Sequence, residues 1–208
     1  MRLHSFRASP NPLKVRVALA ELDVAHEIVE VDLFRGEHRA PAFRALNPHG
    51  KVPVLEDDDG LVLRESGAIL AHLGRTRGAL WPRDAAGEAR ALQWLFFEAF
   101  HQLAIGTVWW SDRVAKSVGR PAEDEKVVAE AASELGRALG VLEAELAERP
   151  FVLAEFSLVD CALGVATNQL VGTRLDDGRF PKSFAYAHRF RARPSWRAAG
   201  GDGIHQFG

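Results

Sequence analysis

The chain has a single cysteine, Cys161, and a single tyrosine, Tyr186, among its 208 residues. One cysteine forms no internal disulfide and, alone, no thiolate metal cluster; Cys161 sits in a helical pattern and reads as core packing. No charge of one sign dominates: 26 Lys and Arg face 28 Asp and Glu, a formal net charge of −2. Without a basic field to hold a polyanion, nucleic acid is not an expected partner. The most basic stretch, His188 to Arg197, is broken by aromatics and a proline and reads as a solvated helix face. No apolar run approaches the ~18 residues that span a bilayer, so no membrane partner is expected. Met1 to Phe6 lacks the apolar segment of a secretory signal, which makes the cytoplasm the expected location. The eight histidines show no ligand spacing, so no metal is expected.

What is present is an ordinary globular composition, 47% hydrophobic and 26% charged, enough for a sizeable core. The first third alternates strand and helix signals. Leu3 to Phe6 reads as a short strand, and Pro12 to Leu22 as a helix with a wide apolar surface, covered on most sides. Asn11 reads as its N-cap, with Pro12 the first helical residue. Ile28, Val29 and Val31 mark a second strand, and Pro41 to Leu46 a short helix. Val52 to Leu55 and Leu61 to Leu63 pair as a hairpin across Glu56-Asp57-Asp58-Asp59-Gly60, and a helix runs from Glu65 to about Arg75. A parallel strand–helix–strand unit joined to an antiparallel hairpin and helix predicts an α/β domain with a small mixed sheet.

Beyond residue 76 the strand signals stop. Ala85 to about Arg113 and Glu123 to Ala147 carry long helical patterns. The first carries Trp94, Phe96, Phe97, Phe100, His101, Trp109 and Trp110, most of which read as core by periodicity. Helices after Ser157, after Pro181 and around Ser195 complete an all-α half. The expected organisation is a first domain over 1–76, a linker over 77–87 and a helical domain over 88–208, with 200–208 a loose Gly-rich tail.

Three segments carry chemistry. In Asn47-Pro48-His49-Gly50-Lys51-Val52-Pro53-Val54-Leu55, an extended residue before a proline leaves N–H and C=O groups for a bound peptide backbone; a plain loop-to-strand turn is the alternative. In Arg64-Glu65-Ser66-Gly67, a strand end feeds a helix whose free N–H groups favour an anion, while Glu65 could pair an ammonium; simple helix capping is the alternative. Ser9-Pro10-Asn11-Pro12 joins the first strand to the first helix, and a hydroxyl or amide donated there can stabilise a thiolate. No cysteine lies in that loop, which argues against an exchange in which the protein supplies the thiol.

Together, at this spacing, these segments resemble the glutathione transferase superfamily, closest to its theta-like and bacterial serine/asparagine-type members. The Asn-Pro-x-Gly-Lys-Val-Pro-x-Leu string at Asn47 to Leu55 followed by Glu65-Ser66 is similar to the superfamily's glutathione-site pattern. Gly36-Glu37-His38 followed by Phe43 resembles theta-like members, and Ser157-Leu158-Val159-Asp160 the family's capping box. One departure stands out: Leu153-Ala154-Glu155-Phe156 lacks the glycine usual before that box, and a local loop change is expected.

The resemblance implies a thioredoxin-like N-terminal domain, βαβ plus ββα on a mixed four-stranded sheet, followed by an all-α helical-bundle C-terminal domain. It implies glutathione as co-substrate and no metal, with Ser9 or Asn11 activating its thiol, His38, Lys51, Val52, Pro53, Glu65 and Ser66 binding it, and a cis Val52–Pro53 bond. It places Trp109, Trp110 and Arg113 in a pocket for a small apolar electrophile, and it implies a homodimer. Because Asn11 reads as a helix cap, Ser9 is expected to be the freer thiol partner. Peroxide or disulfide reduction on the same site, and a non-catalytic binding or regulatory protein of this fold, are the rival functions.

Overall fold

The computed structural model describes residues 1–205. The first half runs β1 (Arg2–Ser5), α1 (Pro10–Glu21), β2 (Glu27–Glu30), a 3-10 turn (Glu37–Arg39), α2 (Pro41–Leu46), β3 (Val54–Glu56), β4 (Val62–Arg64) and α3 (Ser66–Arg77). The sheet order is β2-β1-β3-β4, with β1 parallel to β2 and antiparallel to β3, and β3 antiparallel to β4. This is the mixed four-stranded sheet expected from the alternation of strand and helix signals. Leu3 on β1 and Leu13, Val15, Val17, Ala18 and Leu19 on α1 are fully buried, so α1 is walled in on nearly every side.

The second half is helical: α4 (Ala85–Trp109), α5 (Glu125–Glu145), α6 (Leu158–Leu170), α7 (Pro181–Arg191) and α8 (Pro194–Ala198). Asp84 caps α4 by accepting the Gly87 N–H at 2.9 Å. At its far end α4 passes into one π-helical turn, Trp110–Val114. Every residue of α6 is buried, which makes it the axis of this half. The two halves share one core, in which Leu3, Leu13, Leu55 and Ile69 meet Leu158, Cys161, Tyr186, Phe190 and Trp196. No helix among the described residues is long and apolar enough to cross a membrane.

Four expectations need correcting. Helix α1 starts at Pro10, so Ser9 takes the N-cap position and Asn11 lies inside the first turn. The reason is that Pro10 already has the φ of a first helical residue, and the Leu13 N–H reaches the Ser9 carbonyl at 3.3 Å. The aromatics of α4 divide: Trp94 and Trp109 are buried, but Phe96 and Phe100 are 71% and 75% exposed. The basic stretch is not all solvated, because Arg193 grips Glu21 of α1 at 2.6 and 2.8 Å and lies 3.6 Å over the Phe156 ring. The expected loose tail folds as a 3-10 turn over Gly201–His205, with Ile204 fully buried; 206–208 lie outside the described residues.

The loop without its glycine keeps the backbone a glycine would favour. Ala154 has φ +73°, and the box that follows forms with Asp160 accepting the Ser157 N–H at 2.8 Å. Cys161 is fully buried among the core residues.

Candidate functional site

Strand register brings the three segments to one end of the sheet. Ser5, the last residue of β1, lies opposite Glu30, the last of β2. Running the other way, Val54 opens β3 opposite His4, and it also faces Arg64, the last of β4. The loop holding Ser9, the loop holding His38, the Lys51-Val52-Pro53 segment and the Glu65-Ser66 start of α3 therefore emerge together. This is the carboxyl end of the parallel pair, where open α/β sheets bind ligands. Helices α1 and α3 both begin there, so two positive dipole ends meet; α3 brings a set of unpaired N–H groups, and α1, with prolines at 10 and 12, brings the Asn11 N–H.

Each loop is held from behind. The Arg16 guanidinium of α1 is buried, with its ordinary value pulled down by that burial; it donates to Ser5 Oγ at 3.2 Å and the Arg7 carbonyl at 3.0 Å. The buried Asn47 donates to the Lys51 carbonyl at 2.7 Å and accepts the His49 N–H at 3.1 Å. Gly50 has φ +61°, and a Cβ there would sit 3.0 Å from the His38 carbonyl oxygen. The His38 ring is half-buried, and its Nδ1 is buried without a hydrogen-bond partner. The Val52–Pro53 bond is cis, and the β3 ladder begins only at Val54.

Polar capacity at the two helix starts is left unspent. Neither Ser9 nor Glu65, the N-cap residues of α1 and α3, makes a side-chain capping bond. Glu65 is exposed and adopts φ +65° and ψ 118°, a sparsely populated conformation for a residue with a side chain. The capping alternative for Glu65 thus finds no hydrogen bond here. Asn11 is half-buried, and its Oδ1 accepts from Lys14 Nζ at 2.7 Å.

The three candidates for an electrophile pocket lie where α4 becomes the π turn. Trp109 is buried, Trp110 is half-buried with its indole N–H on the Pro121 carbonyl at 3.1 Å, and Arg113 is exposed beside Gly172. Beyond the turn, the Arg120 guanidinium lies 5.7 Å over the Phe34 ring, and Phe34 meets Phe6 edge-on at 5.4 Å. That chain links the helical half to the loop of Ser9. Phe34 and Arg120 are not among the sequence candidates, and a lone aromatic and a lone arginine in loops give no periodic signal. Lys14 and Glu98 were also missed, although a lysine inside a helix expected to be covered was a visible sign. Among the described residues, no group of acidic, histidine and cysteine side chains could hold a metal.

Residues 3–80 match the model of the glutathione S-transferase N-terminal domain, and residues 92–194 that of its C-terminal domain. A glutathione S-transferase of Hyoscyamus muticus is 33% identical over 96% of this chain and 97% of its own length. The transcriptional regulator URE2 of Saccharomyces cerevisiae is 36% identical over 71% of this chain but 43% of its own length, so the chain spans less than half of that relative. The crystal structure of a glutathione transferase from Burkholderia graminis, with two glutathione molecules bound per subunit, superposes with a TM-score of 0.82 at 31% identity, covering 98% of this chain and 86% of that one.

Proposed function

The chain belongs to the glutathione S-transferase family, and from that premise we propose that it binds reduced glutathione, holds its sulfur as thiolate and joins it to an electrophilic carbon of a small apolar molecule. One observation carries the reading: the two helix starts at the open end of the sheet leave their N-cap side chains uncommitted, beside a cis-proline segment outside the ladder. The backbone of Val52 would pair with the tripeptide as an added strand, in the turn made by Pro53. Ser66 and the N–H groups of α3 would take the γ-glutamyl carboxylate, and Glu65 its ammonium. His38 and Lys51 would take the glycine carboxylate.

Ser9 and Asn11 would each donate a hydrogen to the sulfur. A free thiol with a pKa near ~8.5 is mostly protonated at neutral pH, and one charge-assisted hydrogen bond of roughly 1.5–3 kcal/mol lowers that value by about one or two units. The thiolate then attacks carbon, a C–S bond forms, and the leaving group departs with the displaced electron pair. Trp109, Trp110 and Arg113 would line the electrophile's side of the cleft. The glutathione-binding domain would end near residue 76, the helical domain would begin near 88, and the protein would work in the cytoplasm. The exposed Phe96, Phe100 and Leu103, spaced along one stripe of α4, favour a second copy of this chain as partner.

A second reading rests on the Burkholderia graminis neighbour, whose two bound glutathiones match the reactants of disulfide chemistry. There the thiolate attacks a disulfide sulfur, one S–S bond breaks as another forms, and a thiol leaves. The test is calorimetry with reduced glutathione, followed by turnover of aryl halides, hydroperoxides and a mixed disulfide. Saturable binding with aryl-halide turnover supports conjugation. Turnover of the disulfide alone moves the assignment to reduction, and binding without any turnover favours the regulatory role that the likeness to URE2 suggests. Absence of binding at millimolar glutathione removes the proposal. Ser9→Ala is expected to raise the bound thiol pKa by one or two units and slow conjugation roughly 10- to 150-fold, read by thiolate absorbance against pH.

A further inference from the structure

Behind Asn11 lie two buried charged side chains, Lys14 and Glu98, that none of the roles above uses. Lys14, on α1, is fully buried. Its Nζ donates to Asn11 Oδ1 at 2.7 Å and to Glu98 Oε1 at 2.6 Å. Glu98 is itself 3% exposed, projects from α4 and also accepts from Gln102. Burial pushes the Lys14 ammonium down from its ordinary value, while Glu98 and, more weakly, Glu65 at the start of α3 hold it up. A buried ion pair of this kind is seldom kept for stability, since apolar residues of similar volume serve as well or better.

Its geometry has a chemical consequence for Asn11. An ammonium carries donors and no acceptor, so the Asn11 atom facing Lys14 has to be the carbonyl oxygen. The amide is planar, and its NH2 group is therefore turned away from Lys14. Asn11 is only half-buried, and its NH2 group is not among the buried polar atoms without a partner, so the amide hydrogens remain accessible at the sheet end where α1 begins. A free asparagine could present either end; one whose oxygen accepts from the Lys14 ammonium presents its N–H groups on the other side.

We propose that Lys14, anchored by Glu98, is a positioning residue that fixes the polarity of Asn11, so that the amide offers hydrogens and never its oxygen to the glutathione sulfur. The inference rests on the proposed glutathione site. It gives α4 a part in the thiol chemistry, because Glu98 holds from the helical half a lysine that acts in the other.

Removing Lys14 alone would strand the Glu98 charge, so the informative variant is Lys14→Met with Glu98→Met, which replaces the pair by apolar side chains of similar size. The readout is the pKa of bound glutathione from thiolate absorbance, with S-methylglutathione, which has no ionisable thiol, as the control for binding. The double variant is expected to raise the thiol pKa by about one unit, a roughly tenfold fall in the acid dissociation constant of the bound thiol. Its affinity for S-methylglutathione should stay within about twofold, since only the donor to sulfur is disturbed. In an Asn11→Ala background the same pair of changes should add nothing, because the amide through which Lys14 acts is gone. Additive shifts would mean that Lys14 acts on sulfur through its own charge, and would overturn the inference. So would a double variant with the parent pKa while Asn11→Ala shifts it, a result that leaves the glutathione site standing. Failure of the unmodified chain to bind either ligand overturns site and inference together.

Discussion

Helix α6 and helices α1 and α3 begin with similar residues and use them differently. At α6, Asp160 accepts three hydrogens: the Ser157 N–H at 2.8 Å, the Ser157 hydroxyl at 3.0 Å and the Tyr186 hydroxyl at 2.9 Å. All three residues are buried, and no hydrogen-bonding capacity of the box faces solvent. At α1 and α3, Ser9 and Glu65 hold the cap positions, but their side chains cap nothing. One start is closed on itself and serves the fold. The other two are left open at the end of the sheet, where a ligand can complete them. The difference shows how a helix start, with its positive dipole end and the N–H groups its residues leave unpaired, becomes either a seam or a socket.

The strongest way to break that contrast is to open the closed start. Asp160→Ala strands three buried donors, and the expected loss is about 3 kcal/mol or more. Urea unfolding measures it, and a change below about 1 kcal/mol would mean that the box is not the seam described.

The same carboxyl gives a pH signature. Burial raises Asp160 to about 6, against the pull of its hydrogen bonds to Ser157 and Tyr186. Between about pH 4 and about pH 6 the folded chain binds a proton that the unfolded chain has lost. Stability from this group therefore falls as pH rises through that window, by up to roughly 3 kcal/mol, and the contribution is fully present only below pH 4. Other carboxylates, such as Glu21 and Asp57, are shifted down and slope the other way at lower pH. The comparison to make is thus wild type minus Asp160→Asn across the window, where a flat difference would contradict the assignment.

At the open starts the expectation reverses. Glu65→Gln should leave stability within about 0.5 kcal/mol, since no intramolecular hydrogen bond is lost. Glutathione affinity should drop roughly 10- to 150-fold with the loss of a charge-assisted contact. A destabilised variant with unchanged affinity would put Glu65 on the side of the fold. The smallest effect belongs to the closed side: Ala154→Gly relieves a left-handed alanine just before the box and should stabilise by roughly 0.5–1 kcal/mol, seen as a higher denaturant midpoint at constant slope.

Much of this arrangement could be read from local pattern. The alternation around Val54 and Leu63, the acidic turn between them and the arrest of strand signals after residue 76 reflect short-range physics, and each element formed near its expected place. The Pro53 and Glu65-Ser66 segments stood out as an extended residue before a proline and a strand end feeding a helix, but local physics left a plain turn and a simple cap open, and only the family resemblance pointed to a ligand. The start of α1 was misplaced because Pro10 and Pro12 both suit a first turn, and only the tertiary setting decides between them. That Phe96 and Phe100 are the exposed minority of the α4 aromatics is not legible, because α4 is apolar almost all round and periodicity does not say which face is covered. The pairing of Lys14 with Glu98 spans 84 positions, beyond any local rule, though a lysine on a helix expected to be walled in required some buried partner.

The shared core sets a timetable for synthesis. Leu3 and Leu13 are packed in the same cluster as Trp196 and Ile204, and Glu21 waits for Arg193. A ribosome releases these partners in order, first to last, so α1 emerges long before its final wall exists. The N-terminal half must travel through the exit tunnel and beyond with apolar surface uncovered, and it is completed only when residue 204 is free. Nascent chains stalled before α8 should accordingly be the species that chaperones hold, and release of the full chain the event that ends their grip.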